Sequence, residues 1–153
     1  MMHNLIARYG LSPHPEGGYF KEIHRSRQTV ESPPTGLRRR AVTHIYYLLP
    51  QGELSRFHRV RQDEIWSFYE GSPLRLVTFD GTGVQQRILG PGAGYAGVVE
   101  GGFFQAAESL GDYSLAGCTV APGFEFEDFC FLTELPDLAR TLEENFPAYR
   151  RFL

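Results

Sequence analysis

The chain is poor in cysteine. Only Cys118 and Cys130 occur in 153 residues, too few and too isolated for the disulfide framework of a small secreted domain. A reduced, cytoplasmic setting is therefore expected, with both thiols packed as inert strand residues. Long apolar runs are missing too. None approaches the roughly 18–20 residues that span a bilayer, so no membrane partner is expected. The opening MMHNLIARYG has neither the basic start nor the extended apolar segment of a secretion signal. A basic excess is also absent, with a net charge of -3 and a pI near 5.9, which argues against nucleic acid as a partner. The one basic cluster, Arg38-Arg39-Arg40, adjoins the Pro/Gly stretch SPPTG and reads as a solvated loop rather than a phosphate clamp. No repeat, low-complexity segment or linker interrupts the sequence, and its length suits a single domain over 1–153.

What the chain does have is turns and aromatics: 17 glycines, 10 prolines and 14% aromatic residues. Helical signals are confined to the ends. NLIARYG makes one or two turns, with Asn4 as cap and Gly10 as stop. ELPDLARTLEENFPAYRRFL puts Leu135, Leu138, Leu142 and Phe146 at helical spacing, with Pro136 early and Pro147 ending or kinking the helix. Between them the segments AVTHIYYLLP, LSRFHRV, EIWSFYEG, DYSLAGCTVAP and FEFEDFCFL read as strands, and PLRLVTFDGTGVQQRIL reads as a hairpin. Turn signals recur about every 8–12 residues, the rhythm of an all-β sandwich or barrel.

LSRFHRV and EIWSFYEG flank the short turn RQD and are expected to pair. Alternate strand residues share a face, so His58 points with Val60, and Glu64 points with Trp66 and Phe68. Pairing would bring His58 and Glu64 together among aromatics, where a carboxyl tends toward a raised pKa. Such a pair can bind a metal, do acid–base work or simply be hydrogen-bonded.

The spacing resembles the cupin superfamily. Its first motif runs glycine, five residues, His-x-His, three or four residues, glutamate, six residues, glycine. Here stand Gly52, His58, Val60 in place of the second histidine, Glu64 and Gly71. Its second motif is similar to Gly94, Glu100-Gly101-Gly102 and Gln105, with Glu100 for the proline and Gln105 for the histidine. The strings HPEGGYF, IYYLLP, SRFHRVRQDEIWSFYEG and GCTVAPGFEFEDF, in that order, more closely resemble the cupin_5 (DUF985) family. That family usually carries tryptophan where Phe57 and Phe104 stand. The resemblance implies a double-stranded β-helix, or cupin jelly roll, with short N- and C-terminal helices, a pocket between two antiparallel sheets, and a homodimer. It implies no particular reaction.

A usual cupin metal site takes two histidines and a glutamate from the first motif and a histidine from the second. Carried over, this chain offers His58, Glu64 and Gln105, with Val60 unable to ligate. The cofactor is left open, a divalent metal on that reduced set being one expectation. His14, His24 and His44 could complete a site, although each alone reads as a surface or hydrogen-bonded histidine. Metal-free cupins, such as the dTDP-sugar 3,5-epimerases, offer another expectation. Gly18-Tyr19-Phe20-Lys21-Glu22 resembles their Gly-x-Phe-x-Glu pattern. On that analogy His58 is the base, Glu64 orients it, and Tyr46 or Tyr69 returns a proton or steadies an enolate. Arg25, Arg56 and Arg75 are the basic residues available to a nucleotide.

The expected centre is thus a small-molecule pocket for a carbohydrate or sugar-nucleotide-like ligand. His58 and Glu64 act in it, and Glu22, Tyr46, Trp66, Phe104 and Gln105 bind the ligand. The competing classes are an isomerase or epimerase, a metal enzyme, and a non-catalytic binding or structural homodimer.

Overall fold

Whether one or both faces of a strand are apolar decides where that strand sits. The computed structural model describes residues 2–153. In chain order its elements are α1 (Met2–Tyr9), β1 (Ser12–Pro13), β2 (Tyr19–Arg25), β3 (Thr29–Glu31), β4 (Arg38–Arg40), β5 (Thr43–Pro50), β6 (Leu54–Arg59) and β7 (Asp63–Gly71). There follow β8 (Leu74–Phe79), β9 (Val84–Leu89), β10 (Ala96–Val99), β11 (Phe104–Ser109), β12 (Tyr113–Ala121), β13 (Cys130–Phe131) and α2 (Pro136–Asn145). One antiparallel sheet has the order β1-β2-β5-β12-β7-β10, the other β13-β6-β11-β8-β9, and β3-β4 is a separate ribbon. The two main sheets form the cupin jelly roll.

Each terminal helix covers the outer face of one sheet. Leu5 of α1 packs with Leu11, Leu48 and Leu115. Leu142 of α2 packs with Phe57, Phe79, Phe104 and Phe152. Leu142 is fully buried, and truncating it to alanine should cost about 2–5 kcal/mol. Pro136 sits in the first turn of α2, where its missing N–H costs nothing, and Pro147 opens a separate 3-10 turn over Pro147–Phe152. Gly10 ends α1 at φ +64° as expected, whereas Asn4 lies inside the helix rather than capping it. Between the sheets, Tyr47, Leu49, Trp66 and Leu76 form an apolar core, and beside it lies a cavity.

Three expectations need correction. β6 and β7 do not pair. β6 pairs with β11 and β13, and β7 with β12 and β10, in the opposite sheet. The link between them is a crossing rather than a hairpin tip, which is why Val60 and Gln62 are buried. FEFEDFCFL is strand only at Cys130–Phe131, with a 3-10 turn over Phe126–Asp128 before it. Arg38–Arg40 is a strand, and Arg39 is buried in a bidentate pair with Asp128 at 2.9 Å.

Candidate active site

The site begins with a turn that only glycine permits. Gly17 has φ +111°, and a Cβ there would lie 2.0 Å from the Leu54 carbonyl oxygen. Without side chains, the Gly17-Gly18 stretch presses onto β5 and β6. Three hydrogen bonds pin it. The Arg56 amide donates to the Glu16 carbonyl at 3.0 Å, the Tyr47 hydroxyl to the Gly17 carbonyl at 2.6 Å, and the Gly18 amide to the Glu53 carboxylate at 3.1 Å. Glu16 is thereby carried inward, and its Oε2 lies 2.8 Å from His58 Nε2.

His58 Nδ1 lies 2.7 Å from the Arg56 carbonyl oxygen. A carbonyl only accepts, so Nδ1 carries a proton, while Nε2 faces the Glu16 carboxylate. Burial pulls the His58 pKa down, but the charge and hydrogen bond of Glu16 outweigh it and the net shift is upward. Burial pushes Glu16 up, yet His58 brings it below its ordinary value. The two directions agree on an imidazolium–carboxylate pair. His14 differs. Its Nδ1 accepts the Glu16 amide at 3.1 Å, and burial lowers its pKa. It is neutral, with its proton on Nε2, so its 3.9 Å approach to Glu16 Oε2 is not an ion pair.

Glu64 faces this pair from the other sheet. The Trp66 indole donates to Gln105 Oε1 at 2.6 Å, which turns the Gln105 amide so that its Nε2 donates to Glu64 Oε2 at 2.6 Å. The other Glu64 oxygen has no hydrogen-bond partner among the described residues. Burial raises the Glu64 pKa to about 7, despite the nearby positive charge of His58.

The cavity has a volume of about 90 Å³ and opens to solvent. Hydrocarbon from Phe20, Ile45, Val60, Val120, Phe124 and Phe129 lines much of it. At its edge Arg25 donates to both Glu22 oxygens at 2.8 and 2.9 Å, to Glu125 at 2.8 Å and to the Phe124 carbonyl at 3.0 Å.

Of the residues singled out from the sequence, His58, Glu64, Glu22, His14 and Arg25 line this cavity. Gln105 and Trp66 stand behind Glu64 and orient it. Two do not belong. Phe104 is adjacent to Gln105 on β11, so it points to the opposite face and packs with Phe79 and Phe57 under α2. Tyr46 is on the outer face of its sheet, against Tyr9 at 5.3 Å and Tyr69 at 6.0 Å. Tyr69 is there too, 2.9 Å from His44 Nε2. Glu16, not Glu64, orients the imidazole.

Of the three arginines considered for a nucleotide, only Arg25 lines the cavity, and it is engaged by Glu22, Glu125 and the Phe124 carbonyl. Arg56 lies over the Phe131 ring and Arg75 pairs with Glu108. Glu16 as the partner of His58 was not legible in the motif spacing. The consecutive glycines of HPEGG were the available signal, since they mark close backbone approach as well as a turn.

The donor set does not fit a metal. Val60 cannot ligate, both His58 nitrogens already donate, and the Gln105 oxygen accepts the Trp66 indole. Among the described residues no three His, Cys, Asp or Glu side chains converge as a metal requires.

Residues 3–132 match the family described as Cupin superfamily (DUF985). The uncharacterized protein YML079W of Saccharomyces cerevisiae is 33% identical over 150 residues, covering 86% of this chain and 75% of that one. A hypothetical protein from Leishmania major superimposes with a TM-score of 0.84 at 30% identity, over 97% of this chain and 93% of the other. Protein SO0799 from Shewanella oneidensis gives a TM-score of 0.83 at 31% identity, over 98% and 94%. With the glycine-framed His58 and Glu64 set in opposing sheets of a jelly roll, the chain belongs to the DUF985 family of the cupin superfamily.

Proposed function

We propose that the cavity is an active site for proton transfer on a small polar molecule, in the manner of an isomerase or epimerase. One observation carries this reading: a buried carboxyl, Glu64, and a fixed imidazolium, His58, face one cavity with no metal-competent donor set between them. The base is Glu64 rather than His58, because neither ring nitrogen of His58 offers a free lone pair.

In the proposed step Glu64 takes a proton from a carbon beside a carbonyl. The C–H electron pair moves onto the carbonyl oxygen as an enolate. The His14 Nε2–H donates to that developing negative charge, and the His58 charge acts on it only through space, since both His58 N–H groups are held by Glu16 and the Arg56 carbonyl. Return of the proton from Glu64 to the former carbonyl carbon, with the adjacent hydroxyl proton passing to the former carbonyl oxygen, completes an isomerisation with no net change in atoms or electrons. A base with a pKa of about 7 combines availability with strength at neutral pH. The rate should rise with pH through about 7 and fall at higher pH as His58 loses its proton.

The test is solvent-exchange mass spectrometry in deuterium oxide. A panel of small ketones, amino ketones and keto sugars is incubated with the protein and with Glu64→Gln. Deuterium entry with the native protein, at least about 100-fold slower in the variant, is expected. Exchange that survives the substitution, or no exchange across the panel, sinks the reading and leaves a binding pocket without chemistry.

A further inference from the structure

The charges around the cavity name a class of ligand. Four carboxyl groups line it, those of Glu16, Glu22, Glu64 and Glu125, against two cations, Arg25 and His58. The excess is negative. Both cations are already spoken for. His58 faces the Glu16 carboxylate, and Arg25 grips Glu22 and Glu125 with all three of its nitrogens. An entering phosphate would find both cations already held by carboxylates and would itself face the Glu64 carboxyl. Glu64 is 93% buried, being 7% exposed, and has one carboxyl oxygen without a hydrogen bond among the described residues, so it has unused capacity for a positive partner.

The apolar wall points the same way. Phe124, Phe126 and Phe129 line the cavity with ring centroids 4.9 to 6.2 Å apart and interplanar angles of 65° to 84°. Phe20 also lines it, edge-on to His14. Phe126 is 54% exposed, an apolar ring left in water. Aromatic rings set beside carboxylates are the surroundings in which ammonium and quaternary ammonium groups bind, held by ring quadrupoles and by charge.

We propose that the pocket selects small organic cations bearing an ammonium or quaternary ammonium group and rejects phosphorylated and other anionic molecules. This rests on the reading above only in taking the cavity as the place where a small molecule binds. It replaces a sugar nucleotide as the expected ligand class.

The experiment compares matched probes by thermal shift and calorimetry. Choline and tetramethylammonium are set beside 3,3-dimethyl-1-butanol, a neutral isostere of choline, and beside phosphocholine and inorganic phosphate. Concentrations up to about 50 mM reveal even millimolar binding through the linked rise in melting temperature. Choline and tetramethylammonium should bind, and the isostere and the phosphates should bind at least about tenfold more weakly. Glu64→Gln should weaken choline by a similar factor. The double variant Glu22→Gln/Glu125→Gln changes only half-exposed side chains and frees Arg25. It should lose choline affinity and gain phosphate binding.

Equal or tighter binding of the neutral isostere, tighter binding of phosphate to the native protein, or no binding of either cation overturns the proposal. Deuterium exchange on neutral ketones without cation binding would overturn it while leaving proton transfer standing. Cation binding without exchange would do the reverse.

Discussion

Arg39 with Asp128 and His58 with Glu16 are both buried ion pairs in one small fold, and they differ in what is left over. Arg39 spends its guanidinium on both Asp128 oxygens, on Glu127 and on the Arg38 carbonyl. Gln62 adds a further hydrogen bond to Asp128 at 2.7 Å. Asp128 is held below its ordinary pKa chiefly by the Arg39 hydrogen bonds, and Arg39 above its own by the same contacts. Neither group changes protonation anywhere near neutral pH. The pair fastens the β3-β4 ribbon to the Phe126–Asp128 turn, which supplies part of the cavity wall. The His58 cluster is also buried, but it contains a histidine, a carboxyl titrating at about 7 and an oxygen with no partner. Burial of charge therefore does not by itself distinguish the two regions; what distinguishes the cavity is buried charge that can still change state.

The largest effect should come from opening the saturated pair. Arg39→Ala leaves Asp128 buried without its cation, which should cost about 3–5 kcal/mol. Thermal denaturation would read this as a fall on the order of 10 °C for a chain of this length. A loss below about 1 kcal/mol would mean that water enters the site, and the contrast with the cavity would collapse.

Glu16→Gln should cost less, about 2 kcal/mol, because histidine can shed its charge where arginine cannot. The pH window follows from the two directions. His58, raised in the fold, contributes stability that is full below its ordinary 6.5 and lost as pH rises through its folded pKa. Glu16, lowered in the fold, contributes stability present above its ordinary 4.5 and lost as pH falls through its folded pKa. The cost of Glu16→Gln should thus be greatest near pH 6. Histidine resonances followed by NMR should show the His58 pKa falling in the variant. An unchanged His58 titration would detach Glu16 from the site.

Glu64→Gln should run the other way and stabilise, by about 1–2 kcal/mol at pH 8. A carboxyl with a folded pKa of about 7 against 4.5 favours the native state while it is neutral, and that contribution fades as pH rises from about 4.5 to 7. The native protein should lose melting temperature over that range, and the variant should lose less. Equal slopes would show that Glu64 is solvated or permanently paired.

Much of this was legible in the residues, with a limit set by parity. The spacing of Gly52, His58, Glu64 and Gly71 pointed to the jelly roll, and alternation put Trp66 with Glu64. Alternation says which residues share a face, but not which face is inside. On β5 both faces are apolar, since Tyr47 and Leu49 enter the core while Leu48 meets α1, so nothing local separated Tyr46 from Ile45. Nor could a three-residue link reveal that it crosses between sheets, because that depends on partners for β6 and β7 more than 30 residues away. Glu16 was hidden for a related reason: its role rests on backbone contact with Leu54, remote in sequence.

Tyr46→Phe should have the smallest effect, and it tests that parity argument directly. The Tyr46 hydroxyl makes no hydrogen bond among the described residues, and its ring packs edge-on against Tyr9 and Tyr69. Removing the oxygen keeps the ring, so stability should change by no more than about 0.5 kcal/mol. The sheet itself separates the residue from His58 and Glu64, so the Glu64 titration and any choline binding should stay as they are in the native protein. A changed Glu64 titration or a lost ligand would return Tyr46 to the pocket side of the sheet. The inward set of Ile45 and Tyr47, and with it the assignment of the cavity to this end of the sandwich, would then have to be redrawn.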